Sequence, residues 1–477
     1  MSSLNSSHEL PPLPEYTLIP VPPLVPGIPD KYLELLLPII AYWAFSMLFH
    51  WIDVNDYFAK YRLHTPAEVL KRNHVSRYEV IRDVVIQQIV QTAVGAAINY
   101  FEPEDLLGKD DYTIAVWATR IRVAERAIPS LLGLLSVDAH TLANNLAKSH
   151  LALSGAIAGG VYPGLTQVIT TAGVSRIVPG FAAWELKLAA AIYHVFIPAI
   201  QFAAAVFILD TWQYFLHRAM HMNKWLYTTF HSRHHRLYVP YAFGALYNHP
   251  FEGFLLDTLG AGLAWKVTGM TLRQGMWFYT GSTCKTVDDH CGYALPWDPL
   301  QYIFPNNAGY HDIHHQSWGI KTNFSQPFFT FWDHLLGTVW TGGDVSARYE
   351  RAANAAQNKL DSSVTNTSEM SDPSPTPYDF KAHKKNELFE LAESPIMAKI
   401  PAGKAKLQAE TSQQQVLADK EGGGMSVLRE ELEEERAAEK SVRTSNHRRT
   451  ASNSLKGLRQ KVGSLGRKGG IIGVEKR

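Results

Sequence analysis

The stretch Leu188–His221 reads LAAAIYHVFIPAIQFAAAVFILDTWQYFLHRAMH. Its first 22 residues, Leu188–Leu209, are apolar apart from interruptions at His194, Pro198 and Gln201. A bilayer core of about 30 Å is crossed by roughly 20 apolar residues in a helix. Carried on to His221, the helix has 34 residues. At about 1.5 Å per residue that is about 51 Å, some 20 Å more than the hydrocarbon core takes up. The stretch therefore predicts a membrane span whose end holds His217 and His221 beyond the bilayer.

Two earlier stretches carry the same signal. Leu35–Trp51 is nearly all apolar, and Val84–Phe101 is apolar with scattered Gln. Phe251–Tyr293 reads as two shorter apolar pieces broken near Gly269–Arg273, the pattern of a helical hairpin that enters and returns. Residues 102–185 read as a long outer or re-entrant loop. The competing reading is that these stretches are buried core helices of a soluble protein; three of them in one chain favour the membrane.

Charge gives an orientation. No Lys or Arg precedes Lys31, whereas the link after the first span holds Lys60, Arg62, Lys71, Arg72 and Arg77. The positive-inside rule puts that link in the cytosol. After two more crossings, Arg218, Lys224, Arg233 and Arg236 fall on the same side. Residues 1–29 form a Pro-rich tail without the basic n-region and apolar h-region of a signal peptide. The net charge of +1 points to no polyanionic partner, and nucleic acid is not expected. Cys284 and Cys291 are the only cysteines, and six residues separate them, so neither a disulfide framework nor a CxxC pair is present.

From Ser346 onward polar and charged residues dominate, and residues 346–477 are expected to be disordered because they bury too little apolar surface to fold. Within them, Glu430–Glu439 has the composition of a short helix. Lys440–Arg477 carries eleven Lys/Arg against Glu475 alone, a patch suited to anionic lipid as much as to solvent. Arg448–Ser452 is a weak phosphorylation pattern.

Ten of the 20 histidines lie between residues 217 and 315. His217 and His221 form HxxxH; His231, His234 and His235 form HxxHH; His311, His314 and His315 repeat it. Residues i, i+3 and i+4 share a helix face, so each motif is expected to aim its imidazoles at one point. Imidazole suits first-row metals. Eight motif histidines exceed the four ligands a zinc ion usually takes, so two ions are expected. His249 and His290 lie between the clusters as further metal candidates. Asp210, Asn248, Asp288, Asp289 and Asp312 are candidates to orient ligands through hydrogen bonds.

These motifs resemble the fatty acid hydroxylase, or sterol desaturase, superfamily over roughly Trp184–Trp340. The wider strings Asp210–His221, His231–Pro250 and Asp288–Tyr293 are similar to fungal sphingoid base C4-hydroxylases, which convert sphinganine to phytosphingosine. That resemblance implies catalytic ligation by His217, His221, His231, His234, His235, His311, His314 and His315, and by His290 as the extra histidine before the last motif. It also implies two iron ions, dioxygen, and electrons from NADPH through cytochrome b5 and its reductase. An endoplasmic reticulum membrane location is implied as well, with a multi-pass chain whose active site and tail are cytosolic.

The expected architecture is an all-α integral membrane bundle with a cytosolic histidine-rich di-metal cap and a disordered C-terminal tail. Residues 1–29 are the N-terminal tail, 30–185 a membrane region with a long loop, 186–341 the catalytic domain and 346–477 the charged tail. A lipid or sterol desaturase or oxidase of the same superfamily would share the metal site, and spacing alone does not separate it from a hydroxylase. From another class, a membrane zinc transporter would place its metal residues mid-membrane along a pathway. No nucleophile elbow, phosphate loop or dinucleotide fingerprint occurs, which fits an external electron donor.

Overall fold

A computed structural model of the chain describes residues 9–171 and 174–368. Among these, three helices are long and apolar enough to cross a membrane: Asp30–Val54, Arg77–Phe101 and Ala183–Met222. Only 11–22% of the most apolar stretch of each is buried within the protein. Their outward side chains, Trp51, Ile89, Ile200 and Phe207 among them, are exposed apolar surface of the kind lipid covers. The fourth apolar stretch forms helical segments over Pro250–Thr268 and a helix Leu272–Asp289, parted at Gly269 with φ +64°. Neither arm is a candidate span.

The third span is one helix of 40 residues, about 60 Å at 1.5 Å each. Pro198 sits inside it and cannot donate to the carbonyl of His194. A wider π turn over Ile192–Phe196 absorbs the mismatch, and the helix continues.

The described residues divide into two compact units. One comprises residues up to Asp30, Phe101–Ala204 and Thr268–Gln274. The stretch expected as a long loop is folded here. It contains helices Asp110–Glu125, Ile128–Leu134, Ala139–Leu146 and Leu151–Ile157. An antiparallel hairpin follows, Thr166–Thr171 against Val174–Pro179, so the fold is mostly rather than wholly helical. Val168 and Ile169 lie in the first strand and Ile177 and Val178 in the second, and their branched side chains suit a pleated ribbon. The unit is tied together by a buried pair in which the Arg122 guanidinium donates twice to Glu185, at 2.5 Å each. Glu185 also accepts from the Ala182 amide at the start of the third span, closing that helix end.

The other unit comprises Lys31–Tyr100, Ala205–Val267 and the chain from Gly275. Its core joins Tyr42, Phe49 and Ile52 of the first span and Val80 and Val84 of the second to Leu237–Tyr247 and Val287–Leu295. Tyr42 Oη donates to the Phe243 carbonyl at 2.6 Å. Thr65 and Glu68 form a capping box that starts the helix Pro66–Arg72.

The expectation of disorder from residue 346 is corrected for its first part: Ser346–Ser368 is a helix packed against Pro66–Arg72. The run Arg351–Leu360 is rich in alanine, the best helix former. Ala356 is buried, and Tyr349 donates to the Asp312 carboxylate. Residues 369–477, with the short helix over Glu430–Glu439, the basic end and the phosphorylation pattern, lie outside the described residues.

Candidate metal centre

Nine imidazoles converge in the second unit, and each is at most 7% exposed. They form two groups. His217, His221, His231, His235 and His314 make one; His234, His290, His311 and His315 make the other. Within each group the candidate ligand atoms all lie within 4.8 Å of one another.

The motifs do not each aim at one point, as expected. Every i, i+4 pair stays together, while the i+3 histidine of each HxxHH crosses to the other group. Thus His231 and His235 join the first group and His234 the second; His311 and His315 join the second and His314 the first. For His311, His314 and His315, on the helix Ala308–His315, the reason is helical geometry. Successive residues turn by about 100°, so i and i+4 differ by about 40°, but i+3 and i+4 point about 100° apart. Each HxxHH therefore ties the two groups to one another.

Local structure sets each ring. His217 and His221 occupy the last turns of the third span. His231 ends a π turn, Tyr227–His231, and His234 and His235 begin a short 3-10 turn. His290 follows the helix Leu272–Asp289. Asn307 caps the helix Ala308–His315, which carries the last motif, by accepting from the Tyr310 amide.

Five rings present Nδ1 to a backbone carbonyl: His217 to Phe324 at 2.8 Å, His234 to Tyr247 at 3.2 Å, His290 to Thr286 at 2.9 Å, His314 to Thr322 at 2.8 Å and His315 to Leu237 at 2.8 Å. A carbonyl only accepts, so these Nδ1 atoms carry the proton and the Nε2 lone pairs face inward. His231 Nδ1 meets the Glu252 carboxyl.

The Nε2 atoms are close. In the first group His231 stands 2.7 Å from His221 and 3.1 Å from both His217 and His235. In the second His290 stands 3.4 Å from His234 and 3.1 Å from His311. Burial pushes His231, His234 and His290 down to about 3, with repulsion from neighbouring imidazoles adding to the latter two, so the rings are neutral. Two inward lone pairs at 3.4 Å, on His234 and His290, repel unless a cation lies between them. Ligand bonds of about 2.1 Å place neighbouring nitrogens roughly 3.0–3.4 Å apart around one ion. His314 Nε2, buried and without a hydrogen-bond partner among the described residues, is a donor atom suited to the same role. Two first-row metal ions fit these residues.

His249 is not brought to either group. It caps the helix Pro250–Gly253, its Nδ1 accepting from the Phe251 amide at 3.2 Å. Asp210 hydrogen-bonds to no histidine of the cluster among the described residues; its carboxylate accepts from the Phe328 and Phe329 amides at 3.2 and 2.8 Å. Asp333 likewise accepts from Phe324 and Ser325. Together they pin the loop whose carbonyls orient His217 and His314. Asn248 bonds His234, Asp288 accepts from Gln301, and Asp289 is held by Lys285 and Asn306. Asp312 pairs with His64 at 2.9 Å.

Glu252, Asp333 and His64 were not picked out in the sequence. Glu252 lies 21 residues from its partner His231 and shares no spacing with it. A cavity of about 30 Å³, room for about one water, is bordered by His231, His234, His290 and His311, so both groups face it. Glu252, Asp257 and Gln213 also line it.

The fatty acid hydroxylase family profile matches residues 202–338. The chain is 43% identical over 341 residues to a sphingolipid C4-hydroxylase of Saccharomyces cerevisiae, covering 71% of this chain and 80% of that one. It is 35% identical over 311 residues to a sphinganine C4-monooxygenase of Arabidopsis thaliana, covering 65% and 88%. It is also 46% identical over 199 residues to a very-long-chain aldehyde decarbonylase of Oryza sativa, covering 42% and 75%. No solved structure matches.

Proposed function

From a chain that belongs to the fatty acid hydroxylase family, we propose a membrane monooxygenase that hydroxylates a sphingoid long-chain base at C4, converting sphinganine to phytosphingosine. The longer alignments are those to C4-hydroxylases, which favours this reading over aldehyde decarbonylation. The observation that carries the proposal is the pair of buried imidazole groups facing one cavity.

In this reading His217, His221, His231, His235 and His314 hold one iron ion, and His234, His290, His311 and His315 hold the other. The bound pair supplies the dioxygen chemistry that an unactivated C–H bond requires and that no acid or base side chain provides. The protein's own part is positioning. Backbone carbonyls and Glu252 fix the ring orientations, and Asp210 and Asp333 hold the loop behind them. Burial keeps the imidazoles neutral and available as ligands. The overall reaction takes one dioxygen, two electrons and two protons, and yields the 4-hydroxy base and water. The electrons come from NADPH through cytochrome b5 and its reductase. The chain sits in the endoplasmic reticulum membrane, with the histidine groups and C-terminal tail on the cytosolic side, the orientation that its basic links favour.

The test is expression in cells lacking sphingoid base hydroxylation, with long-chain bases measured by mass spectrometry. The 4-hydroxy base is expected to appear, and to vanish with His234→Ala. An unchanged base profile in cells that make the protein would overturn the proposal.

A further inference from the structure

An exposed apolar surface outside the three spans is stitched to the side of the third one. The short helix Phe331–Leu336 lies against that span. Phe331 meets Phe207 with ring centroids 6.3 Å apart, and Trp332 meets Phe215 at 4.9 Å. The Trp332 indole donates to Thr211 Oγ1 at 3.0 Å. Phe329, Phe331, Leu335 and Leu336 are nevertheless exposed, Leu335 to 60%. A second short helix, Pro299–Ile303, joins the same surface through Phe304, whose ring packs on Phe328 and Phe329 at 5.0 and 5.6 Å. Tyr302 and Ile303 of this helix are 85% and 62% exposed.

The two segments carry almost no charge. Residues 299–310 contain no Asp, Glu, Lys or Arg, and residues 322–340 contain only Asp333, which is buried. Exposed apolar side chains gathered in this way mark a contact surface. What covers it follows from what it adjoins. Phe207 and Phe215 are exposed on the side of the span that lipid covers, and the rings of Phe331 and Trp332 continue that side. The depth agrees. Between Lys187 and Arg218 the only charged residue is Asp210, which is buried, so the apolar outer side of the helix ends just past Phe215. Tyr and Trp, here Tyr302 and Trp332, are the residue types that settle at a membrane–water boundary.

We propose that residues 299–304 and 329–336 lie in the lipid of the leaflet nearer the histidines, as a membrane contact separate from the spans. The contact reaches the metal centre by a short route. The Phe324 carbonyl orients His217, and Asp210 and Asp333 hold the amides of Phe324, Ser325, Phe328 and Phe329. Lipid therefore backs the loop that aims the first histidine group.

The test uses the wild-type full chain in phosphatidylcholine vesicles. A fraction of the lipid carries a photoactivatable diazirine near the head-group end of one acyl chain. After illumination, mass spectrometry of the digested protein locates the adducts. Short apolar helices at an interface sink about 5–10 Å into the acyl boundary, so both segments are expected to be labelled within about threefold of residues 207–215 and at least about tenfold above the charged helix Ser346–Ser368. Labelled residues 207–215 with neither segment labelled above that charged helix would overturn the inference, whether water or a second copy of the chain covers the surface. No labelling of residues 207–215 either would overturn the membrane reading of the third span, and this inference with it. Neither outcome depends on which substrate the protein hydroxylates.

Discussion

Glu252 is the only acidic side chain among the described residues that hydrogen-bonds directly to a ring of the histidine cluster, so its removal is an informative perturbation. The carboxyl is buried and meets His231 Nδ1 from the side opposite the first group. A carboxylate there raises the donor strength of the imidazole and holds its angle. Glu252→Gln keeps an acceptor oxygen but removes the charge. Charge-assisted hydrogen bonds are worth about twice neutral ones, so a loss of about 1.4 kcal/mol, or tenfold in metal affinity, is expected. Glu252→Ala removes the contact and should approach about 100-fold, the upper range for orienting partners of metal-bound histidine. The assay is dialysis of detergent-purified protein against graded chelator, with metal per chain measured by mass spectrometry. Helix content by circular dichroism separates metal loss from unfolding. If the folded Ala variant retains metal as wild type does at every chelator concentration, Glu252 does not support the centre and the reasoning fails.

Three further outcomes follow from the same geometry. His249→Ala should leave metal content unchanged, because the ring only caps a short helix, and should lower stability by about 1 kcal/mol in chelator-independent melting. Tyr349→Phe leaves the Asp312 carboxylate short of one donor, at a cost of roughly 1–3 kcal/mol, and should lower the melting temperature while retaining activity. His64 titrates in the opposite sense to the cluster. Burial opposes its charge, but Asp312 and then Glu68 outweigh it and raise it to about 9. Its folded value exceeds its unfolded value of about 6.5, so its contribution is complete below that pH and is lost as pH climbs toward 9. The melting-temperature gap between wild type and His64→Gln, on the order of 5 °C at pH 6, should narrow steadily up to pH 9.5; a constant gap would show that the charge is not involved.

Much of the centre was legible because its chemistry is local. HxxxH and HxxHH are short, and the length of Leu188–His221 already set two histidines of the cluster past the end of an apolar stretch. The division of the second HxxHH between two groups follows from the helical turn angle, yet spacing gives it no label. What spacing cannot carry is contact across long sequence separations. His217 is oriented by the carbonyl of Phe324, 107 residues away, and carbonyls carry no side-chain signature. His64 and Asp312 meet across 248 residues. The helix Ser346–Ser368 was missed because, among its described side chains, Ala356 is the buried one and Tyr349, Ala352, Ala353, Ala355 and Leu360 are half-buried, which leaves no strong apolar stripe in a charged stretch. The folded residues between Phe101 and Ala183 were missed for a related reason: several helices there have only seven or eight residues, too few for periodicity to register.

The account stands most directly on two metal sites in one chain. Anaerobic titration of metal-free, full-length protein with ferrous iron, followed spectroscopically, measures this. The expected result is a break at two ions per chain. It should fall to one when His217 and His221 are both replaced by Ala, and to one again when His290 and His311 are. A break at a single ion in the wild type, or pairs of substitutions that leave the count unchanged, would contradict it.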